Sequence, residues 1–182
     1  MEQFAQSGKT LAGHPESVDG LTNVERVKSN FPLNDWNTWA NSADAIYTYE
    51  AFLRAVAKFP AFCGEAPSGK DEDEVCKREI AAFFAHASVG TDGLSQIEEP
   101  GCGAKAYCKR GPMSLDGKDQ YSDFSAAFYD DSSVLEDEPS KVVEDGYVAF
   151  ASGLWRYMTH TLPAPSMHNV MTGFYVPNNS DK

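Results

Sequence analysis

Apolar residues fall at Cys76, Ile80, Phe83, Phe84 and Ala87, a stripe with the period of an α-helix. Asp71, Glu72, Asp73 and Glu74 precede that stripe or occupy its first turn, where the helix dipole favours negative charge. The spacing predicts a helix that breaks up after Ser88, with Val89, Gly90, Thr91, Asp92 and Gly93 forming a short turn. Residues 46–62 predict another helix, with Tyr49, Phe52, Val56 and Phe59 on one face, Thr48 as N-cap and Pro60 as its stop. A third is predicted over about 146–159, where Phe150, Leu154 and Met158 lie one turn apart beside Tyr147, Ala151 and Trp155.

The remaining stretches are less regular. Residues 1–27 are polar, with Phe4, Leu11, Val18, Leu21 and Val24 as scattered apolar points, and read as a lightly ordered extension ahead of one domain at 28–182. Residues 27–44 set Phe31, Trp36 and Trp39 between turn-formers. A buried aromatic cluster is the ordinary reading of that arrangement, and a sugar-stacking platform the sharper one. Residues 121–145 read as an acidic loop with apolar points at Phe124, Phe128, Tyr129, Val134, Leu135 and Val142, and Pro139 suits a first helical turn. No internal repeat or low-complexity tract interrupts the chain.

Composition narrows the class. With 182 residues the chain is long enough for one domain with a sizeable core. A formal net charge of −12 argues against a nucleic-acid partner, which needs a basic face. An acidic surface suits neutral or cationic glycans, and solubility explains it equally well. No run approaches the roughly 18 apolar residues of a membrane span. The first residues lack the apolar core of a signal peptide, so a processed chain and one that never carried a signal both fit.

Cys63, Cys76, Cys102 and Cys108 read as two local pairs, Cys63 with Cys76 and Cys102 with Cys108, out of the three connectivities four cysteines allow. Disulfides imply an extracellular or luminal oxidising compartment; four free thiols in a cytosolic protein are the alternative. The spacing lacks the CxxC or histidine pair of a zinc site, and neither a metal nor a cofactor is expected.

The run KREIAAFFAHAS, Lys77 to Ser88, resembles the first catalytic segment of chitinases of glycoside hydrolase family 19. In that family the run leads into a His-Glu pair whose Glu is the general acid; here Val89 and Gly90 take those places, so Gly90 marks the position of a lost acid. The stretch YTYEAF resembles the opening of the same domain, and YCKRGPMSL, Tyr107 to Leu115, resembles YYGRGPxQLS. The helix at 146–159 and the residues from Pro163 through His168 and Asn169 to Tyr175 continue the resemblance, which covers about 31–177. The family goes on into a Gly- and Asn-rich segment with a further substrate-binding Asn and a final cysteine, so a C-terminally shortened domain is expected. His168 reads as a satisfied packing residue rather than a ligand.

The resemblance implies a mainly α, lysozyme-like (α+β) bilobal fold with a central cleft. It makes Glu99 the candidate remnant of the general base, with Glu98 its rival by one residue; without the resemblance both read as solvated loop acids. Among substrate-binding positions, Arg110 and Tyr121 are kept, whereas Ser114, Asp116 and Gln120 replace the family's Gln, Ser and Asn.

An inverting glycosidase needs one protonated and one ionised carboxyl group across the ring. One carboxyl group cannot hold both states at once. Asp92 as a stand-in acid sits two residues on, about 200° around a continued helix, and is one methylene shorter than Glu. The leading expectation is therefore a catalytically inactive chitinase-like protein that binds chitin or N-acetylglucosamine oligomers, or that serves as an interaction subunit gripping a protein partner through its N-terminal extension. An active endochitinase, with Glu99 as base and Asp92 as acid, and a scaffold without a glycan ligand are the alternatives. A glycan binder predicts an open groove lined by exposed Trp36, Trp39, Tyr107 or Tyr121.

Overall fold

The computed structural model describes residues 18–160 and 164–177. Phe4 and Leu11, expected apolar points, lie outside the described residues, as does Pro163. Among the described residues eight α-helices follow in order: α1 (Thr22–Asn30), α2 (Leu33–Trp39), α3 (Tyr49–Val56), α4 (Glu72–Thr91), α5 (Gly117–Tyr129), α6 (Ser133–Asp137), α7 (Gly146–Met158) and α8 (Met167–Thr172). Short 3₁₀ turns occupy Cys102–Ala104 and Pro139–Val143. Among the described residues, Glu98 bridges to Arg110 and Arg110 to Leu115, each antiparallel and isolated. The chain is mainly α, as expected.

The long helix α4 is built as its sequence dictates. Asp71 is its N-cap and accepts the Glu74 N–H at 2.9 Å, with three acids in the first turn. Val75, Cys76, Ile80, Phe83, Phe84 and Ala87 face inward. The expected break after Ser88 does not occur: the helix runs on through Val89 and Gly90 to Thr91. Thr91 is buried, donates to the Ala87 carbonyl at 2.6 Å and accepts the Leu94 N–H at 2.8 Å, which extends the inward stripe by one turn. Asp92 ends the helix in the left-handed region, φ 51°, and the N–H groups of Asp92 and Gly93 return to the Ser88 carbonyl.

Helix α3 packs on α7, and α1 and α8 pack on α4. Thr48 caps α3 by accepting the Ala51 N–H, as the pattern predicts, but the helix stops at Val56, ahead of Pro60. Trp36 is buried among Phe31, Tyr49, Phe52, Phe84 and Phe150. That is the core cluster, and it removes Trp36 from any sugar platform.

Two expectations are corrected. Helix α1 begins inside the stretch read as an extension: Val24 and Val27 are fully buried, and Asn23 donates to the carbonyls of Val56 and Phe59 at 2.9 and 3.2 Å. One amide thus satisfies two main-chain acceptors just past α3, and so few apolar residues leave little periodic signal. Residues 121–145 hold helices rather than an acidic loop: Tyr121, Phe124 and Phe128 form the buried stripe of α5, and Leu135 anchors α6 against it.

Both local disulfides form, Cys63–Cys76 and Cys102–Cys108. The first ties the start of α4 to the segment after α3. His168 lies at the start of α8, fully buried, with Nδ1 2.6 Å from Oε1 of the equally buried Glu79 on α4. Glu79 Oε2 accepts the Cys63 N–H at 2.9 Å. His168 is thus buried in the packing, joined to an acid that the apolar pattern of α4 concealed, but it is satisfied at one ring nitrogen only: its Nε2 has no hydrogen-bond partner among the described residues.

Candidate functional site

The last turn of α4 faces a tight turn at residues 110–115. That turn is closed by Arg110 N–H to Leu115 O and Leu115 N–H to Arg110 O, at 3.1 and 2.8 Å. Gly111 adopts φ 76°, and a Cβ there would lie 3.0 Å from Ser152 Oγ, so the turn can sit directly on α7. From the other side, a Cβ on Gly153 would come within 2.9 Å of Pro112 Cγ, so both glycines allow this close approach.

Gly90 projects toward the same turn. A Cβ at this position would meet Ser114 Oγ at 3.0 Å and Pro112 O at 3.6 Å. Two cavities flank the contact. One, of about 90 Å³, runs between Gly90 and Ser114 on one side and Glu98, Glu99 and Lys109 on the other. The other, of about 410 Å³, lies between His86, Val89 and Gly90 on α4 and Met113, Ser114 and Arg156. A third, of about 540 Å³, follows the α4 flank past Phe31, Trp39 and Phe84, and shares Ala85 and Val89 with the second. The three lie side by side along the end of α4, neighbours sharing Ala85 and Val89 or Gly90 and Ser114, and are together called the furrow.

Glu99 is partly exposed. Its Oε1 accepts the Lys109 N–H at 3.3 Å, and Lys105 Nζ stands 3.7 Å away. Glu98, the rival, is committed elsewhere: its Oε2 lies 3.0 Å from Arg110 Nε. Arg110 is buried and also donates through Nη1 to Ala106 O at 2.9 Å and Tyr121 Oη at 3.1 Å. Burial opposes its charge, but Tyr121 and Glu98 outweigh that and hold its pKa above the ordinary arginine value.

Tyr121 is fully buried and donates to Cys108 O at 2.7 Å, so it braces the turn from beneath and does not face the furrow. Burial raises its phenol pKa, with Arg110 opposing. Tyr107 is half-buried and donates to Glu136 O. Of the aromatics named as alternatives for an open groove, Trp39 is the exposed one that lines the furrow, 36% accessible.

Ser114 lines both cavities beside Gly90. Gln120 accepts from the Asp116 N–H at 3.2 Å and from Arg156 Nη1 at 3.1 Å. Asp116 is an exposed N-cap residue of α5 and Asp92 an exposed C-cap residue of α4; neither lines the two cavities at Gly90. Glu98 comes near Cys102 and Cys108, but the disulfide consumes both thiols and leaves no thiolate ligand for a metal.

Sequence reasoning passed over His86, Arg156 and Met167. Arg156 was visible as a charge in the last turn of the otherwise apolar α7, and Met167 as part of the matched segment before His168. Neither carries a signal that it lines one cavity with Gly90, because the residues lie 66 and 77 positions apart.

The molecule is a mainly helical scaffold whose longest helix ends beside the cavities at Gly90, and comparison with known proteins fixes its family. The family model described as chitinase class I matches residues 26–109 and 95–182, so the chain belongs to glycoside hydrolase family 19. It is 32% identical over 206 residues to endochitinase 2 of Gossypium hirsutum, covering 97% of this chain and 66% of that protein. It is 37% identical over 140 residues to an endochitinase of Avena sativa, covering 75% of this chain and 66% of that one. The chain thus spans just under two thirds of the length of these relatives. Among solved structures, it is similar to chitinase C from Streptomyces griseus (TM-score 0.62, 28% identity, covering 85% of this chain and 62% of that one). A class IV family 19 chitinase from Zea mays aligns with TM-score 0.64 at 26% identity, covering 81% and 77%.

Proposed function

We propose that this chain is a non-catalytic member of its family that binds chitin-type N-acetylglucosamine oligomers in the furrow across α4. One observation carries the reading: apart from Glu98 and Glu99, which adjoin in sequence, no carboxyl group lines the cavity that Gly90 and Glu99 share, and Glu98 is held by Arg110. Hydrolysis with inversion needs an acid and a base on opposite faces of the sugar. Loss of the general acid alone lowers the rate about 10²- to 10⁴-fold. Asp92 offers no rescue, since its left-handed backbone carries it past the helix end and away from both cavities at Gly90.

The furrow suits a sugar chain in other ways. Trp39 supplies an apolar face for a ring, Val89 is 90% exposed beside it, and the Glu98–Arg110 pair with Tyr121 keeps the turn at 110–115 rigid. The two disulfides fit an oxidising compartment, and we place the protein outside the cell or in a lumen. No helix among the described residues is long and apolar enough to cross a membrane.

Calorimetric titration with a chitin hexamer tests the reading. Saturable heat that weakens in a Trp39→Ala variant is expected. Absence of heat at millimolar hexamer overturns glycan binding and leaves an interaction scaffold.

A further inference from the structure

Arg156 introduces a cation into the furrow beside Gly90. It stands in the last turn of α7, half-buried, and its Nη1 donates to the Ser114 carbonyl and to Gln120 Oε1. Both acceptors are neutral. Among the described residues no carboxylate pairs with it, and its Nε and Nη2 groups make no hydrogen bond. The chain carries 27 acidic residues against 15 Lys and Arg, so an arginine left with only neutral partners is notable. It lines the cavity of about 410 Å³ with His86, Val89, Gly90, Met113 and Ser114, and no acidic side chain lines that cavity.

The geometry is that of a held fork. Two bonds through one nitrogen fix the guanidinium, and its other donors, which have no partner among the described residues, suit a planar or tetrahedral anion. The Cβ direction of Gly90 runs to Ser114, whose carbonyl holds Arg156, so a carboxylate at position 90 would stand close to this cation and compete for it. At the other end of the furrow, Glu98 pairs with Arg110 and Glu99 stands near Lys105, so the cations there already face carboxylates. We propose that the cavity beside Gly90 binds the anionic substituent of a saccharide, a carboxylate or a sulfate ester, through Arg156. The ligand of the furrow is then an acidic amino-sugar chain, oriented with its anionic unit at Arg156 and a neutral unit at Glu99. This rests on the reading of the furrow as a saccharide site.

Three probes separate the possibilities: the neutral chitin hexamer, the same hexamer carboxymethylated at its 6-hydroxyls, and the same hexamer sulfated there. Titrations at low salt on the native protein are expected to show one anionic hexamer binding about tenfold tighter than the neutral one, as one charge-assisted contact allows. Which of the two is preferred identifies the anion. The preference should shrink at high salt, vanish in Arg156→Gln and survive in part in Arg156→Lys. Equal binding of all three probes, or a preference that outlasts Arg156→Gln, overturns the anion site while leaving the glycan reading intact. Failure of every hexamer to bind overturns the saccharide reading and this inference with it. The salt series uses the native chain, so the test stands even where a variant does not fold.

Discussion

At the scale of single residues, Gly90 is the hinge of the account. Glycine inside a helix costs about 0.5–1 kcal/mol relative to alanine. Its added methyl would meet only a rotatable Ser114 hydroxyl and, farther off, Pro112 O. Gly90→Ala is therefore expected to stabilise the fold by up to about 0.5 kcal/mol, read as a higher urea midpoint; a drop of 1 kcal/mol or more would show that the close contact cannot give. Glu79 makes the opposite case. It is fully buried between the Cys63 N–H and His168, and removing one member of such a pair costs about 3–5 kcal/mol. Glu79→Ala should lower stability by that order in urea unfolding, and a loss under about 1 kcal/mol would mean the pair is not what holds α8 to α4. The place of Gly90 was legible in the sequence, because the resemblance of residues 77–88 to the family runs up to it. Its orientation toward Ser114 was not, since residue spacing says nothing of a partner 24 positions away.

At the scale of elements, legibility followed the density of apolar residues. Helices α3, α4 and α7 announce themselves by their stripes, whereas α1 buries mainly Asn23, Val24 and Val27 and was read as an extension. The stripe of α5 was present in Tyr121, Phe124 and Phe128 but was masked by Asp119 and Asp123 on the outer face. The disulfides act at this scale too. Cys63–Cys76 spans 13 residues and Cys102–Cys108 spans 6, so loop-closure entropy assigns them about 3 and about 2.4 kcal/mol. Replacing the first pair with alanines should cost more in thermal unfolding than replacing the second. The second pair should matter more for the furrow, because it frames the segment carrying Glu99. Equal thermal losses, with no change in hexamer binding, would refute that division.

At the scale of the whole molecule, the core is rich in buried phenols. Burial raises the pKa of Tyr47, Tyr121, Tyr147 and Tyr157, and for Tyr47 and Tyr157 nearby acids add to the effect. A phenol raised in the folded state keeps its proton after the unfolded chain has lost it. Stability from these groups is then fully present below the unfolded value near 10 and falls as pH rises toward the folded values. The melting temperature should fall steadily above about pH 10; a flat profile to pH 12 would show that these rings open readily to solvent. The mainly helical class and the cleft-bearing family were legible from motifs, since those motifs cluster on α3, α4, α7 and the turn at 110–115. The polarity of the furrow was not, because it is assembled from α4, α7 and a turn that meet only in three dimensions.

Prolonged incubation of the native chain with chitin hexamer, followed by chromatography of the products, tests the central claim most directly. An intact hexamer is expected, because no carboxyl group besides the adjoining Glu98 and Glu99 lines the cavity at Gly90. Shortened oligomers from the native chain, abolished by Glu99→Gln, would contradict it.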